Sequence, residues 1–359
     1  GALCRSVAPA GVTPTVGEEP RQMGVDLVNA SAPVPLRRVC VVGGAGFIGS
    51  HIVDALLSWE NCERVVVVDN FSSGREWHLA HHAGDERLEV VKGEVRDPDS
   101  LIRAMRQCRT VVHLASNPDI ARAATEPAID FDAGTLLTQC VLEAMRTADV
   151  ERILYASGSG VYGDLGELEI EEDHGPLLPV STYGASKLAG ESLISAYCHM
   201  FGMTGVVFRF GNVVGPRQTH GVGFDFLRRL REDPRRLVVL GNGTQSKSYI
   251  HVSDVIEAVF LAADCAPRPL ATYNVATGDY VTVAEIADLA TEVMGLDPLE
   301  TSIEFSDGDR GWKGDVPVVR LSTDRIRALG WSNSMGSLLS LRASMEAMLA
   351  EKPTPATSA

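Results

Sequence analysis

The run Val39-Cys-Val-Val-Gly-Gly-Ala-Gly-Phe-Ile-Gly-Ser-His51 decides the fold. Four apolar residues, Val39 to Val42, meet a glycine cluster. An amphipathic stretch follows, with Ile48, Ile52, Leu56 and Trp59 at helical spacing. The pattern predicts a strand, a tight turn and a helix.

Gly43, Gly46 and Gly49 give a G-x-x-G-x-x-G spacing. The first permits the turn, the second lets a pyrophosphate approach the backbone, and the third lets helix pack on strand. Unpaired N–H groups and the dipole at the helix start favour phosphate charge. By itself such a cluster is an ordinary βα turn. Here a second predicted strand, Arg64–Val68, ends in Asp69, twenty residues after Gly49. An acid there accepts hydrogen bonds from a ribose 2′-hydroxyl and repels a 2′-phosphate, which favours NAD over NADP, with Arg75 as an opposing charge.

Working outward, strands are predicted at Leu88–Val91, Thr110–Leu114, Arg152–Ala156 and Val206–Phe210, with helices at Asp99–Gln107, Phe131–Thr147 and Thr182–Phe201. This alternation predicts an α/β doubly wound parallel sheet of Rossmann type, with ligands at the carboxyl ends of the strands. After Gly215 the rhythm changes. A helix near Phe224–Arg231, another at Val283–Met294 capped near Thr282, short strands over Thr301–Trp331 and a last helix at Leu338–Leu349 predict a smaller α+β substrate domain. The expected division is an irregular arm 1–36, where Val25–Val28 has some packing potential, an NAD-binding domain 37–214 with 249–276 returning to it, a substrate domain from 215–248 and 277–350, and a flexible tail 351–359.

Composition narrows the function classes. The 359 residues suffice for a large core, and the net charge of −15 argues against general nucleic-acid binding. No apolar run reaches membrane-spanning length and no secretory pattern opens the chain, so a cytoplasmic setting is expected. Seven scattered cysteines without a C-x-x-C pair predict reduced thiols and indicate neither a zinc site nor a disulfide framework, so no metal is expected. The sequon Asn29-Ala-Ser31 is then a chance match.

Tyr183-Gly-Ala-Ser-Lys187 opens the second long helix and puts Tyr183 and Lys187 on one face. A tyrosine base near neutrality needs its pKa lowered by about 3 units, roughly 4 kcal/mol. A neighbouring ammonium and an oxidised nicotinamide supply contributions of about that size at close range.

Together with Gly43–His51 and this pair, Val68-Asp-Asn70, Val95-Arg-Asp97, His113-Leu-Ala-Ser116, Val161-Tyr-Gly163, Arg209-Phe-Gly-Asn212 and Tyr249-Ile-His-Val-Ser-Asp254 make the chain resemble the extended short-chain dehydrogenases/reductases. Within them it is similar to the NAD-dependent nucleotide-sugar epimerases and dehydratases, most of all the UDP-glucose 4-epimerase group, over Arg38 to Trp331. The resemblance implies a soluble isomerase, homodimeric through its two long helices, that oxidises a UDP-hexose or UDP-hexuronate transiently at C4. Tyr183 is then the base and Lys187 its partner on the nicotinamide ribose. The implied cofactor set adds Gly43, Gly46, Phe47, Ile48 and Gly49 at the pyrophosphate turn, Asp69, Asn70 and Ser72 near the adenosine, Glu94 and Val95 by the adenine, and Leu114, Ala115 and Ser116. Asn117, Asn212, Lys247 and Arg310 are the implied substrate contacts, the last two as phosphate clamps.

Departures from the family pattern matter. Gly158 stands where a Ser or Thr donor to the sugar oxygen is usual, leaving Ser157 and Ser159 as stand-ins. Glu94 replaces an Asp, and Gly134 an Asn. Ser159 and Gly160 occupy the positions where 4,6-dehydratases carry Asp-Glu and where decarboxylases carry Glu at the second. A dehydratase or decarboxylase outcome, and a catalytically lapsed NAD-binding regulator, remain the competing readings. Glycines 158 and 160 fit either a roomy pocket for a turning keto sugar or tight packing.

Overall fold

The computed structural model describes residues 33–351 apart from Val95 and Pro118. The expectations for residues 1–32, the end of the tail and Val95 lie outside the described residues, while Val34–Leu36, assigned to the irregular arm, forms a short 3-10 turn with Leu36 buried in the core beside Arg38–Val42.

Seven strands form one parallel sheet: β1 (Arg38–Val42), β2 (Arg64–Asp69), β3 (Leu88–Lys92), β4 (Thr110–His113), β5 (Arg152–Gly158), β6 (Thr204–Phe210) and β7 (Leu270–Val275). Their spatial order is β7-β6-β5-β4-β1-β2-β3, every pair parallel. The order reverses between β1 and β4, which opens a crevice at their carboxyl ends.

Alternation along each strand sends side chains to two layers. Val39 and Val41 of β1 join a core with helices α1 (Phe47–Ser58) and α6 (Val252–Cys265), while Cys40 and Val42 face α2 (Pro98–Met105), α3 (Leu137–Ala148) and α4 (Thr182–Phe201). Burial on both faces explains the nearly unbroken valine runs of β1 and β2. Trp59, just past α1, packs on Phe260 of α6 with ring centroids 4.8 Å apart.

A third core holds α5 (Val222–Glu232), α7 (Val283–Val293) and α8 (Ser337–Ala350), with Leu230, Val239, Ile286 and Met345 buried at its centre. Helix α7 starts in a full capping box, with Thr282 and Glu285 satisfying each other's backbone N–H groups. Of the segment predicted to return to the sheet, Leu270–Val275 does so as its edge strand. Tyr249–His251 instead pairs with Asn212–Val214 in a separate two-stranded ribbon. The strand lies beyond β6, where the chain leaves the sheet toward the third core. The long helix predicted at Phe131–Thr147 is interrupted: Phe131–Leu136 is a π-helical stretch leading into α3. No helix among the described residues is long and apolar enough to cross a membrane.

Candidate active site

A cleft of about 880 Å³ runs from the carboxyl ends of the sheet strands to the third core. Its floor begins at the glycine turn. Gly43 has φ +85°, and a Cβ on it would lie 2.7 Å from the Ala115 nitrogen, so the turns after β1 and β4 touch. A Cβ on Gly49 would lie 2.2 Å from the Gly43 carbonyl, which is why helix α1 can start so close to β1. Gly46 is the N-cap of α1 and offers no side chain to the first turn. Those N–H groups therefore face the cleft beside Phe47 and Ile48, which line it. The cradle fits a dinucleotide pyrophosphate.

Asp69 is buried at the end of β2. Its Oδ2 accepts from the Ala45 N–H at 2.9 Å and its Oδ1 from the Phe71 N–H at 2.8 Å. Burial raises its pKa, and those two amides partly offset the effect. Asp69 thus braces the glycine turn as well as facing the cleft. Asn70 accepts from the Ser72 N–H at 3.0 Å and donates to Glu94 at 3.3 Å, so these three line the same end of the cleft as a unit. Leu114 and Ala115 both donate backbone N–H groups to the Val42 carbonyl.

At the other end, Tyr183 and Lys187 rise from the first turns of α4, whose N-cap Ser181 accepts from the Gly184 N–H. Lys187 is almost fully buried, and its Nζ donates to the Ala156 carbonyl at 2.7 Å. Burial lowers its pKa to about 8, against the pull of Glu191 one turn further along. The Lys187 ammonium sits 5.6 Å from the Tyr183 ring centroid. Burial raises the Tyr183 pKa, a hydrogen bond with Ser116 pulls it back, and the charge of Asp130 pushes it up again. Burial thus outweighs the Ser116 hydrogen bond in the chain by itself, whereas the lowering expected from the sequence counts the oxidised nicotinamide together with Lys187.

Ser157 lines the cleft, but its hydroxyl donates to Glu191 at 2.5 Å. Glu191 in turn takes a bidentate grip from Arg209, which also donates to Tyr162, and Tyr162 donates to Asn274. The first stand-in for a sugar donor is thus committed to a buried network. Ser159 has no side-chain hydrogen bond among the described residues and lines the cleft. Gly158 is extended, with φ −158°, and a Cβ there would meet nothing within 4 Å. A Cβ on Gly160 would touch Gly184 at an ordinary 3.6 Å. A Cβ therefore fits at both glycines, and open space surrounds the one at Gly158, while Gly160 packs on Gly184.

Asn117 is buried and donates to Asp130 at 2.8 Å and to the Asp119 carbonyl at 2.9 Å. Asn212 lines the cleft and donates to the Ser248 carbonyl. Lys247 lines it too, with its Nζ on Asp315 at 2.7 Å. Arg310 does not line the cleft: it reaches Asp164 at 2.6 Å and the Asp315 carbonyl, and so fastens the 310–315 loop from outside. Trp312, Gln218, Arg229 and His220 line the cleft and were not singled out from the sequence. Arg229 lies on α5 and the other three on loops outside the regular elements, where no short-range periodicity marks them.

The NAD-dependent epimerase/dehydratase family model matches residues 39–276. The chain belongs to that family. A UDP-glucose 4-epimerase of Mycolicibacterium smegmatis is 32% identical over 301 residues, covering 82% of this chain and 93% of that one. A crystal structure of a UDP-galactose 4-epimerase superposes with a TM-score of 0.76 at 34% identity, covering 87% of this chain and 99% of the other. The dTDP-glucose 4,6-dehydratase DesIV from Streptomyces venezuelae, with NAD and TYD bound, gives a TM-score of 0.79 at 26% identity, covering 87% and 97%. The epimerase/dehydratase family is NAD-dependent, and NAD is the cofactor of this chain.

Proposed function

We propose that the chain is a nucleotide-sugar 4-epimerase acting on a UDP-hexose or UDP-hexuronate through a transient 4-keto sugar. One observation carries this over dehydration or decarboxylation. Tyr183 and Lys187 face a floor, Gly158-Ser-Gly160, that carries no carboxylate and leaves open space. Elimination of water needs a further acid and base there. Inverting C4 needs a proton acceptor and room to turn.

In this reading the Gly43–Gly49 turn, Asp69 and Lys187 would hold NAD, whose chemistry would be reversible hydride exchange with C4 of the sugar. Tyr183 accepts the C4 hydroxyl proton and gives it back. Lys187, held by the Ala156 carbonyl, stands behind it and stabilises the phenolate. Lys247 meets the diphosphate, exchanging Asp315 for it, and Asn212 offers its amide to a phosphate oxygen. The third core is the substrate domain. The exposed Phe131, Met200 and Phe201 on the two long helical segments support a homodimer through them, which light scattering on the eluting protein checks.

The test is incubation of the purified chain with UDP-glucose, UDP-galactose, UDP-N-acetylglucosamine and UDP-glucuronate, read by mass spectrometry and proton NMR. A product of unchanged mass with inverted C4 coupling supports the reading and names the sugar. Loss of water or carbon dioxide replaces it with the dehydratase or decarboxylase. No turnover of any nucleotide sugar by the NAD-loaded chain replaces it with the lapsed regulator.

A further inference from the structure

Asp54, His81 and His82 converge away from the cleft. Asp54 lies on α1, and the two histidines end the short turn Ala80–His82. Both imidazoles bring Nε2 to one carboxylate oxygen, Asp54 Oδ1, at 2.8 and 2.7 Å. Their rings lie 4.1 Å apart. The ligand atoms of the three residues all fall within 4.8 Å of one another. The other oxygen, Oδ2, pairs with Arg217 at 2.7 Å.

A carboxylate with one oxygen held by a hydrogen bond and the other shared by two ring nitrogens is pre-oriented as a monodentate metal ligand. Zinc bound to nitrogen and oxygen at about 2.0–2.1 Å in tetrahedral geometry sets ligand atoms roughly 3.3 Å apart. The present spacing needs an opening of roughly half an ångström, which partly exposed imidazoles supply by small rotations.

We propose that Asp54 Oδ1, His81 Nε2 and His82 Nε2 bind one divalent transition-metal ion of the zinc class, with water completing the tetrahedron. Two imidazoles and one carboxylate suit zinc or cobalt; calcium and magnesium prefer all-oxygen sites. The Arg217 charge opposes a cation, so binding in the micromolar range is expected rather than that of a structural zinc site with thiolates. An ion there ties α1, whose first turn forms the cofactor cradle, to the Ala80–His82 turn. Through Arg217, whose backbone N–H donates to Glu351 just past α8, the tie extends toward the third core. Adjacent histidines carry no spacing signature, which is why the sequence pattern indicated no metal.

The test uses the full chain, free of any histidine tag and stripped with a chelator. Zinc chloride is titrated by calorimetry, and cobalt chloride by visible absorption. One equivalent of zinc per chain is expected, with a tetrahedral cobalt spectrum. His81→Gln alone and with His82→Gln is expected to weaken binding at least tenfold and abolish that spectrum. His199→Gln, an exposed histidine elsewhere, is the control and changes neither. Because His81 is half-exposed, its single variant tests the site even where the double variant folds poorly. No stoichiometric zinc in the unaltered chain, or zinc retained at full affinity by the His81 variant, overturns the proposal.

Discussion

Gly134 and Ser186 face each other so closely that a Cβ on the glycine would lie 2.0 Å from the serine Oγ. That hydroxyl is buried and donates to the Asp130 carbonyl at 2.7 Å, fixing the π-helical stretch against α4. The asparagine that the family resemblance puts at position 134 cannot be built there while Ser186 keeps this position. Gly134→Ala is therefore expected to destabilise the chain by about 1–3 kcal/mol. Adding Ser186→Gly removes the clash, so the double variant loses less than the sum of the single losses. Urea denaturation of the four chains of the cycle checks this.

Lys187 gives a pH signature. Its pKa in the folded chain is about 8, below the roughly 10.4 of an unfolded lysine. Between those values the unfolded chain holds more protons, so this group makes the fold more stable as pH rises through the window. Below pH 8 the full penalty of a buried ammonium applies. Lys187→Met in the cofactor-free chain is expected to remove this pH dependence, worth about 3 kcal/mol. The difference in denaturation midpoint between the two proteins, followed from pH 7 to 10, checks it. Subtracting the two curves cancels the tyrosines and cysteines that titrate in the same range.

Gly158 predicts a gain. The backbone there is extended and the space around it empty, so Gly158→Ser is expected to leave the melting temperature within about 2 °C of the parent. It restores a hydroxyl donor beside the sugar oxygen, and such donors are worth roughly 10²–10³ in rate. A rise in kcat of tenfold or more, with KM little changed, is expected. An unchanged kcat would mean that Ser159 or water already supplies the donor.

Lys247 predicts the opposite division. It touches the proposed diphosphate and no reacting atom, so Lys247→Ala is expected to raise KM about 10–100-fold with a smaller effect on kcat. Lys247→Arg is expected to recover most of that loss, because a guanidinium reaches both a phosphate and Asp315. Steady-state kinetics on the sugar identified by NMR separates the two constants.

What was legible in the sequence was local. Gly43, Gly46 and Gly49 crowd one turn, and Tyr183 and Lys187 share one helical face, so their spacing, read with the strand-helix alternation around them, pointed to them. Helix α4 runs over Thr182–Phe201 as its periodicity predicted. What stayed hidden depends on residues distant along the chain. Ser157 was offered as a sugar donor because nothing near it in sequence shows that Glu191, 34 residues on, takes its hydroxyl. Arg310 was offered as a phosphate clamp because its partner Asp164 lies 146 residues away. The drop expected for the Tyr183 pKa counted two positive charges, Lys187 and the nicotinamide, and not the burial that raises it in the folded pocket. The emptiness around Gly158 is a property of everything that does not approach it, which no motif records.

The two walls of the cleft respond differently to the surrounding electrolyte. Beneath the reacting end, Glu191 and Arg209 are sealed from water, and dissolved ions screen such a pair little. Over the proposed diphosphate end, the loop bearing Trp312 is fastened by Arg310 on Asp164, both open to solvent. Raising ionic strength loosens that clasp and leaves the foundation intact. In the proposed reading, salt therefore acts on the wall over the diphosphate and barely reaches the ground beneath Tyr183.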